Sequence, residues 1–287
     1  GLVSIIIPTR DHLKLLLDCV SSLIAHTRSA RYEILIADTG SLPENKVLLK
    51  EALAALHRPV NLVRIEVIEY DFYNFARINN DVVQHHLAAD SRYLLFCNND
   101  IKLLNDAVDR CLRQMLARTN IGTLGIRLHT ADNAIQHNGI TAIFGQGQVV
   151  EFIHRNWRSY YRYDDATLEV IGNTGAFLMI ERQLFAQAPF NEAYEECYED
   201  VELNLRLRLL GRKNYQIGHA VAYHYEGQSR RDNPDLLNRQ VADYQAHLLP
   251  FFSARCVPLF FSELFAGAGW ASRNGLDSIA LAMGKML

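Results

Sequence analysis

A strand-like apolar run leads directly into a short acidic turn in the first half of the chain. This segment reads Tyr93-Leu94-Leu95-Phe96-Cys97-Asn98-Asn99-Asp100. A buried strand that ends in such a turn places a carboxylate at the carboxyl edge of a sheet, where open α/β folds bind their ligands. Oxygen ligands at that edge suit Mg²⁺ or Mn²⁺ held together with substrate phosphates. Because Asn and Asp also favour ordinary turns, a plain turn remains the alternative for this motif taken alone.

Strand and helix patterns alternate around this segment. Residues 3–7 are a continuous, mostly β-branched run typical of a strand covered on both faces, and we expect Pro8 to end it. Further strands are expected at residues 33–37, 62–68 and 93–97, with helices beginning near Leu13, Pro43, Phe75 and Asn105. This alternation predicts βαβ units in an α/β protein with a mostly parallel central sheet flanked by helices.

The pattern changes after Ile121. A small additional β element with a hairpin-like texture is expected within residues 135–150. We predict a strand at residues 175–180 and a helix at residues 199–210 closed by Gly211. A loop with four aromatic residues either stacks on sugar rings or packs against the domain; these are Trp157, Tyr160, Tyr161 and Tyr163.

The last part of the chain is predicted to be a C-terminal helical tail. A helical pattern begins at Pro234, and an apolar amphipathic segment continues to Leu287. The tail either packs on the body of the protein or makes a peripheral contact with a membrane or a neighbouring domain.

The composition is that of an ordinary globular protein. Of the 287 residues, 49% are hydrophobic and 21% charged, and the formal net charge is −3. This charge offers no basic field for a nucleic acid partner. Five cysteines without C-x-x-C spacing predict reduced thiols and neither a disulfide framework nor a zinc site. We therefore expect a cytoplasmic protein, either free or peripheral at the inner face of the plasma membrane.

Five sequence blocks occur in the order and approximate spacing of family 2 glycosyltransferases. They are SIIIPTR at residues 4–10, IADTGS at 36–41, NND at 98–100, YED at 198–200 and HYEGQSR at 224–230. Each block is degenerate alone, but five in register make the resemblance specific. The chain thus resembles the GT-A fold of this family, which is a Rossmann-like sheet.

The resemblance implies both a domain organisation and an activity. A GT-A domain would cover residues 1–231, with a donor-binding half at about 1–120 and an acceptor-binding half at about 121–231, followed by a helical extension at 232–287. The family's activity implies an inverting, metal-dependent transfer from a nucleoside-diphosphate sugar to a hydroxyl of a glycan or lipid-linked glycan acceptor. Bacterial surface polysaccharide or lipopolysaccharide synthesis would be the setting.

The donor would lie against the ends of the first strands. The resemblance assigns donor contacts to Pro8, Thr9, Arg10, Asp38, Arg77, Asn98, Asn99 and Arg230. Asp38 would accept a hydrogen bond from a ring N–H of the base, and the arginines would bind phosphate. The alternatives are a strand-ending turn at Pro8, a turn-capping role for Asp38 and a solvated helix position for Arg77.

Metal binding would fall to Asp100 and to His224, the family's third metal position. The family motif is usually Asp-x-Asp, whereas this chain has Asn98 first, a neutral oxygen ligand or a ribose contact. An imidazole ligand favours Mn²⁺ over Mg²⁺. A structural role for His224 is the alternative.

Inverting transfer also needs a base that accepts the proton of the acceptor hydroxyl. Asp200 is the candidate, and Glu199 would orient the acceptor or support Asp200. Both residues open a predicted helix, where carboxylates are favoured by the helix dipole, so a simple capping pair is the alternative.

Two other functions compete with glycosyl transfer. A nucleotidyltransferase would need a glycine-rich phosphate loop after the first strand, and residues 8–12 contain no glycine. A non-catalytic glycan-binding or scaffolding domain of the same fold remains open, with Asn98 as its support.

Overall fold

The computed structural model describes residues 1–145, 148–154, 167–225 and 235–256. The strands are β1 (Leu2–Thr9), β2 (Tyr32–Asp38), β3 (Leu62–Glu69), β4 (Ser91–Cys97), β5 (Ile101–Leu103), β6 (Ile121–His129), β7 (Ile135–His137), β8 (Ile140–Gly145), β9 (Gln148–His154), β10 (Thr167–Val170), β11 (Phe177–Glu181) and β12 (Lys213–His224). The helices are α1 (Leu13–His26), α2 (Pro43–Ala55), α3 (Phe75–His85), α4 (Ala107–Ala117), α5 (Arg182–Gln187), α6 (Glu199–Leu209), α7 (Leu236–Asp243) and α8 (Leu249–Arg255), and a π-helical turn (Tyr244–Leu248) joins the last two.

The main sheet has the strand order β10-β12-β6-β11-β4-β1-β2-β3. The pairs β3–β2, β2–β1 and β1–β4 are parallel, and so is the pair β6–β12. Strand β11 runs antiparallel between β4 and β6, and β10 is antiparallel to β12. The fold is therefore α/β with a central sheet flanked by helices, as the sequence predicts; the sheet is mixed, and its parallel parts are β1–β4 and the β6–β12 pair. The expected small β element is the separate hairpin of β8 and β9.

Helices cover both faces of the sheet because the central strands are apolar on both sides. On β1, Val3, Ile5 and Ile7 contribute to a cluster with α1, α2 and α4, whereas Ile6 belongs to a cluster with α3, α5 and α6. Side chains alternate between faces along a strand, so one uninterrupted apolar run supplies both clusters.

The first strand extends further than expected. Pro8 does not end β1, which continues to Thr9. Pairing with β4 stops at Ile6, while pairing with β2 continues through Pro8 and Thr9. Beyond Ile6 the strand is locally an edge, where a residue without a backbone N–H is tolerated.

The described part of the C-terminal helical segment packs against the second half of the chain. Leu248, Phe252 and Cys256 share an apolar cluster with Tyr194 and with residues of α6. The tail from residue 257 onward lies outside the described residues, so its contact with a membrane or neighbour stays a prediction. None of the helices in the described ranges combines the length and hydropathy that crossing a bilayer requires.

Candidate active site

A cleft of about 890 Å³ opens at the carboxyl edge of the central strands. Residues from both halves of the chain line it. The residues with a predicted role that line the cleft are Pro8, Thr9, Arg10, Asn98, Asn99, Asp100, Glu199, Asp200 and His224. The structure therefore brings together most of the residues singled out from the sequence.

Strand β5 explains why Asp100 and His224 meet. This short strand begins directly after Asp100 and pairs antiparallel with the end of β12, so that Ile101 lies opposite His224. The backbone N–H of Tyr225 also donates to the carbonyl of Asp100 at 3.1 Å. As a result His224 Nε2 lies 3.3 Å from Asp100 Oδ1, and both side chains are almost buried, with 9% and 12% exposed.

The orientation of His224 is fixed by a residue that has no recognisable sequence signal. His224 Nδ1 lies 2.7 Å from Gln136 Oε1, on β7. An amide oxygen only accepts, so Nδ1 carries a proton, and in the neutral ring Nε2 keeps its lone pair. That nitrogen faces Asp100, and it lies 3.4 Å from Asn98 Nδ2. Metal-binding histidines are commonly oriented through their other ring nitrogen in this way.

The donor set around Asp100 fits a divalent cation. Asp100 Oδ1 is buried and has no hydrogen-bond partner, although His224 is close to it. A buried carboxylate oxygen is costly to leave without a donor or a cation. Within the described ranges, no cluster of three or more His, Cys, Asp or Glu side chains is arranged to hold a metal. Two protein ligands would therefore share the ion with phosphate and water oxygens, as is common for hard cations.

The asparagines before Asp100 hold the end of β4 in place. Asn99 Nδ2 donates to Thr9 Oγ1 at 2.9 Å, which links the ends of β4 and β1. The backbone N–H of Asn98 donates to the carbonyl of Ala176 at 3.0 Å, just before β11. These two bonds tie the acidic turn to both neighbouring strands.

Asp200 lies in the first turn of α6 with its carboxylate anchored by backbone groups. Oδ2 accepts from the N–H of Gly175 and Oδ1 from the N–H of Val201, each at 2.7 Å. The Val201 bond satisfies a backbone N–H at the start of the helix, so it supports the alternative in which Asp200 acts as a capping residue. The Gly175 bond instead points the side chain toward the segment before β11, two residues ahead of the strand. Glu199, which is buried, occupies the first position of the same helix.

Two predicted donor residues are not among the described residues that line the cleft. Asp38 is fully buried at the end of β2; its Oδ1 accepts from Ser41 N at 2.8 Å, and its Oδ2 has no hydrogen-bond partner. Its neighbour Thr39 lines the cleft. The guanidinium of Arg77 lies over the ring of Phe72, 4.5 Å from its centroid. Arg230 and the aromatic loop at 157–163 lie outside the described residues.

Arg10, in the turn after β1, lines the cleft, and hydrogen bonds to the next residue, Asp11, hold this turn in place. Asp11 and His12 both have positive φ angles, 52° and 44°. Asp11 Oδ1 accepts from Leu42 N at 2.9 Å and from Asn45 Nδ2 at 2.8 Å. The Asn45 and Leu42 hydrogen bonds hold the pKa of Asp11 below its usual value. The strained turn is thus tied to the start of α2.

The cleft wall also contains residues for which the sequence analysis predicted no role. Residues 195–198, which precede α6, line the cleft together with Leu236, Arg239 and Gln240 of α7. Arg239 Nη2 lies 2.9 Å from Glu196 Oε1. The sequence signal for α7 was a helical pattern alone, and such a pattern does not reveal which loop the helix contacts.

Comparisons with known proteins show the family to which the chain belongs. The sequence profile described as "Glycosyl transferase family 2" matches residues 4–187. The O-antigen biosynthesis protein RfbC of Myxococcus xanthus is 28% identical over 239 residues, covering 80% of this chain and 18% of that protein. The uncharacterized protein y4gI of Sinorhizobium fredii (strain NBRC 101917 / NGR234) is 30% identical over 247 residues, covering 82% of this chain and 26% of that protein. The chain thus spans about a quarter or less of the length of these curated relatives.

Solved structures share the fold. A crystal structure of GalNAc-T7 with UDP, GalNAc and Mn²⁺ matches 85% of this chain and 47% of that one, with a TM-score of 0.66 at 14% identity. Staphylococcus aureus TarS 1-349 in complex with UDP-GlcNAc matches 83% of this chain and 64% of that one, with a TM-score of 0.54 at 13% identity. At these identities the likeness establishes a GT-A fold.

Proposed function

The chain belongs to glycosyl transferase family 2, and from this membership we propose that it is an inverting, metal-dependent enzyme that uses a nucleoside-diphosphate sugar. The observation that carries the proposal is that Asp100, Asp200 and His224, which are far apart in the sequence, all line one cleft. A cleft with convergent polar groups at the carboxyl edge of the strands is the usual position of a ligand site in such folds.

The donor is proposed to lie along the ends of β1, β2 and β4. Thr9 and Arg10 line the cleft there. Asp38 does not line it; its buried Oδ2, which has no hydrogen-bond partner, stays a prediction as the acceptor for a ring N–H of a pyrimidine base. The ligands present in the GalNAc-T7 and TarS structures, UDP and UDP-GlcNAc, favour a uridine nucleotide. Arg77 and Arg230 stay predictions as phosphate contacts.

Asp100 and His224 would hold Mn²⁺, or Mg²⁺ in its place, at the diphosphate of the donor. A divalent ion bound there would offset the negative charge that the diphosphate gains as it leaves. The two side chains contribute one carboxylate and one imidazole, with Nε2 of His224 already turned toward Asp100. The GalNAc-T7 structure contains Mn²⁺, which supports the choice of this ion.

Asp200 would accept the proton of the attacking acceptor hydroxyl. Each of its oxygens receives a single backbone N–H, from Gly175 or Val201. A carboxylate offers about four lone-pair directions, so both oxygens keep capacity for a hydroxyl. The two N–H groups also fix the direction of the carboxylate, which general base catalysis requires. Glu199 is proposed to support Asp200 or to orient the acceptor.

The acceptor is proposed to be a glycan or a lipid-linked glycan in surface polysaccharide synthesis. The similarity to an O-antigen biosynthesis protein supports this setting. We expect the reaction to take place in the cytoplasm, with a contact at the inner face of the plasma membrane as an extension of the proposal. A non-catalytic glycan-binding domain, favoured by Asn98, is the second candidate.

A thermal-shift panel tests the proposal. Nucleoside diphosphates are added with and without Mn²⁺ to the wild-type chain and to Asp100→Asn. A ligand that binds the folded state stabilises it by about 2.7 kcal/mol at a hundredfold excess over Kd. We expect UDP to raise Tm in the presence of Mn²⁺, and Asp100→Asn to abolish that Mn²⁺-dependent rise. If no nucleoside diphosphate changes Tm with Mn²⁺ present, the enzyme proposal fails.

A further inference from the structure

The irregular segment before α6 forms part of the cleft wall and leads directly into the proposed base. We call residues 194–198 the approach loop. Its last residue, Tyr198, has a left-handed backbone with φ of 77°, and Glu199 and Asp200 follow at once. Because no residue separates the loop from the helix, the course of the loop sets where α6 begins and how it is rotated. The direction of Asp200 depends on both.

One buried carboxylate from the C-terminal helical segment holds this loop. Asp243, at the end of α7, is 4% exposed. Its Oδ2 accepts from Glu196 N at 2.7 Å and from Cys197 N at 3.1 Å, and both oxygens lie 3.1 Å from Glu195 N. Hydrogen bonds from backbone N–H groups to an ionised acceptor are among the stronger ones in proteins. Three successive residues of the loop are therefore fixed by one side chain.

Ring contacts from the π-helical turn hold the two ends of the loop. Tyr194 lies against His247 with 5.3 Å between the ring centroids, and Tyr198 lies against Tyr244 with 5.7 Å between them. The turn begins directly after Asp243. π-helical turns are rare and occur frequently at functional sites. Here the turn presents rings toward both ends of the segment whose middle Asp243 binds.

We infer that Asp243 is a positioning residue for Asp200. It acts through the approach loop and does not itself touch the reacting groups. Residues 235–256 are then a working part of the active site rather than a separate extension. The inference rests on the proposed function, because it takes Asp200 as the base. A loop that loses its anchor lets the base move, and displacements of about 1 Å can cost about a hundredfold in rate.

The chain contains a matched control for this arrangement. Asp109, in the first turn of α4, is 2% exposed and also accepts from three successive backbone N–H groups. The donors are Arg28, Ser29 and Ala30, at distances from 2.7 to 3.2 Å. None of these four residues lines the cleft. Asp109→Asn should therefore reproduce the structural loss of Asp243→Asn without its functional consequence.

The test uses four proteins: the wild type, Asp243→Asn, Asp109→Asn and Asp200→Asn. For each protein, three quantities are measured: amide hydrogen exchange, the affinity for UDP in the presence of Mn²⁺, and the rate of hydrolysis of UDP-GlcNAc and UDP-GalNAc. For Asp243→Asn we expect exchange at residues 195–197 to rise about tenfold or more. We expect kcat for hydrolysis to fall about tenfold or more, while KM and UDP affinity stay within about twofold. Asp109→Asn should raise exchange at residues 28–30 and leave kcat unchanged.

The outcomes separate the inference from the proposed function. If Asp200→Asn keeps full hydrolysis, Asp200 is not the base and the inference loses its premise; if the wild type neither binds a nucleoside diphosphate with Mn²⁺ nor turns over a donor, the proposed function fails. Exchange at 195–197 in the wild type still tests the anchor. If Asp200→Asn is inactive but Asp243→Asn keeps the wild-type kcat, the positioning role alone is wrong. If Asp243→Asn does not fold, Asp243→Glu replaces it in the comparison. The wild type also tests the inference without any variant: if the amides of residues 195–197 exchange at unprotected rates, Asp243 does not hold the loop and the inference is wrong.

Discussion

His224 Nε2 lies 3.3 Å from Asp100 Oδ1. The two residues come from different halves of the chain, and the antiparallel pairing of β5 with β12 brings them together. Asp100 Oδ1, which has no hydrogen-bond partner, and His224 Nε2, which lies 3.4 Å from Asn98 Nδ2, thus face one another at the wall of the cleft. If His224 binds a metal, changes to the residues around it should change the affinity for Mn²⁺; if His224 is only structural, they should not.

Gln136→Leu should weaken metal binding without removing a metal ligand. Gln136 fixes the ring of His224 through Nδ1. Loss of an outer-sphere partner of this type typically costs about 10–100-fold in metal affinity or activity. Titration of Mn²⁺ by calorimetry in the presence of UDP measures the change. Gln136→Glu keeps an acceptor oxygen and should retain most of the affinity; equal affinities for the Leu and Glu variants would refute the orienting role.

Asn98→Asp should raise the affinity for Mn²⁺ with UDP. Asn98 Nδ2 lies 3.4 Å from His224 Nε2, so a carboxylate at this position would add a charged oxygen beside the proposed site. The affinity of hard cations increases with ligand charge, and we expect a gain of about tenfold. The same calorimetric titration checks it. A variant that binds Mn²⁺ no better than the wild type would favour the non-catalytic interpretation of the cleft.

Asp200→Asn should separate catalysis from donor binding. The amide can still accept from Gly175 through its oxygen but cannot take a proton from the acceptor. General base catalysis contributes about 10²–10⁴-fold, so we expect kcat to fall within that range while UDP affinity with Mn²⁺ stays unchanged. Steady-state kinetics with UDP-GlcNAc and UDP-GalNAc measure it. An unchanged kcat would assign the base to another residue.

Gly125→Ala should destabilise the fold beneath the acceptor side of the cleft. A Cβ on Gly125 would lie 2.3 Å from Asn173 Oδ1. The carbonyl of Asn173 accepts from Asn204, which also donates to the carbonyl of Asp200. Overpacking of this kind costs about 1–3 kcal/mol, which urea unfolding detects. Gly211→Asn is the control: a Cβ there meets nothing within 4 Å, and Asn tolerates its φ of 73°.

His129 should make the fold less stable as the pH falls. Burial lowers the pKa of His129 from its usual 6.5, Arg127 lowers it further, and the carbonyl of Asn133 opposes the shift. Nε2 accepts from Arg127 Nε at 3.1 Å, and Nδ1 lies 3.0 Å from the Asn133 carbonyl, so the folded state favours the neutral ring. The unfolded chain therefore binds the proton first below pH about 6.5, and stability is lost from there down to the folded pKa.

Chemical denaturation at pH about 7.5 and about 5.5 tests this sign. The wild type should lose more free energy of unfolding between the two conditions than His129→Gln, which cannot bind the proton. An equal loss in both proteins would mean that burial does not disfavour the charged ring.

The sequence predicted the elements that depend on local patterns. Residues 3–7 and 93–97 are apolar on both faces because helices cover both sides of the sheet, and Gly211 ends α6 with the expected positive φ. Long-range register was not predictable. Nothing local to Ile101 indicates that it pairs with His224, and Gln136 and Asp243 acquire their roles from contacts with distant segments. The prediction that Pro8 ends β1 was wrong for the same reason. A strand can continue through a proline where one side of it is unpaired, and whether Pro8 is such a position depends on where pairing with β4 stops.

Metal binding by Asp100 and His224 can be seen in an anomalous difference map from crystals of this chain soaked with MnCl₂ and UDP. We expect a manganese peak within coordination distance of the Asp100 carboxylate and His224 Nε2, with the UDP diphosphate on the same ion and Asp200 facing the cleft. A manganese peak elsewhere, with UDP bound away from Asp100 and His224, would contradict it.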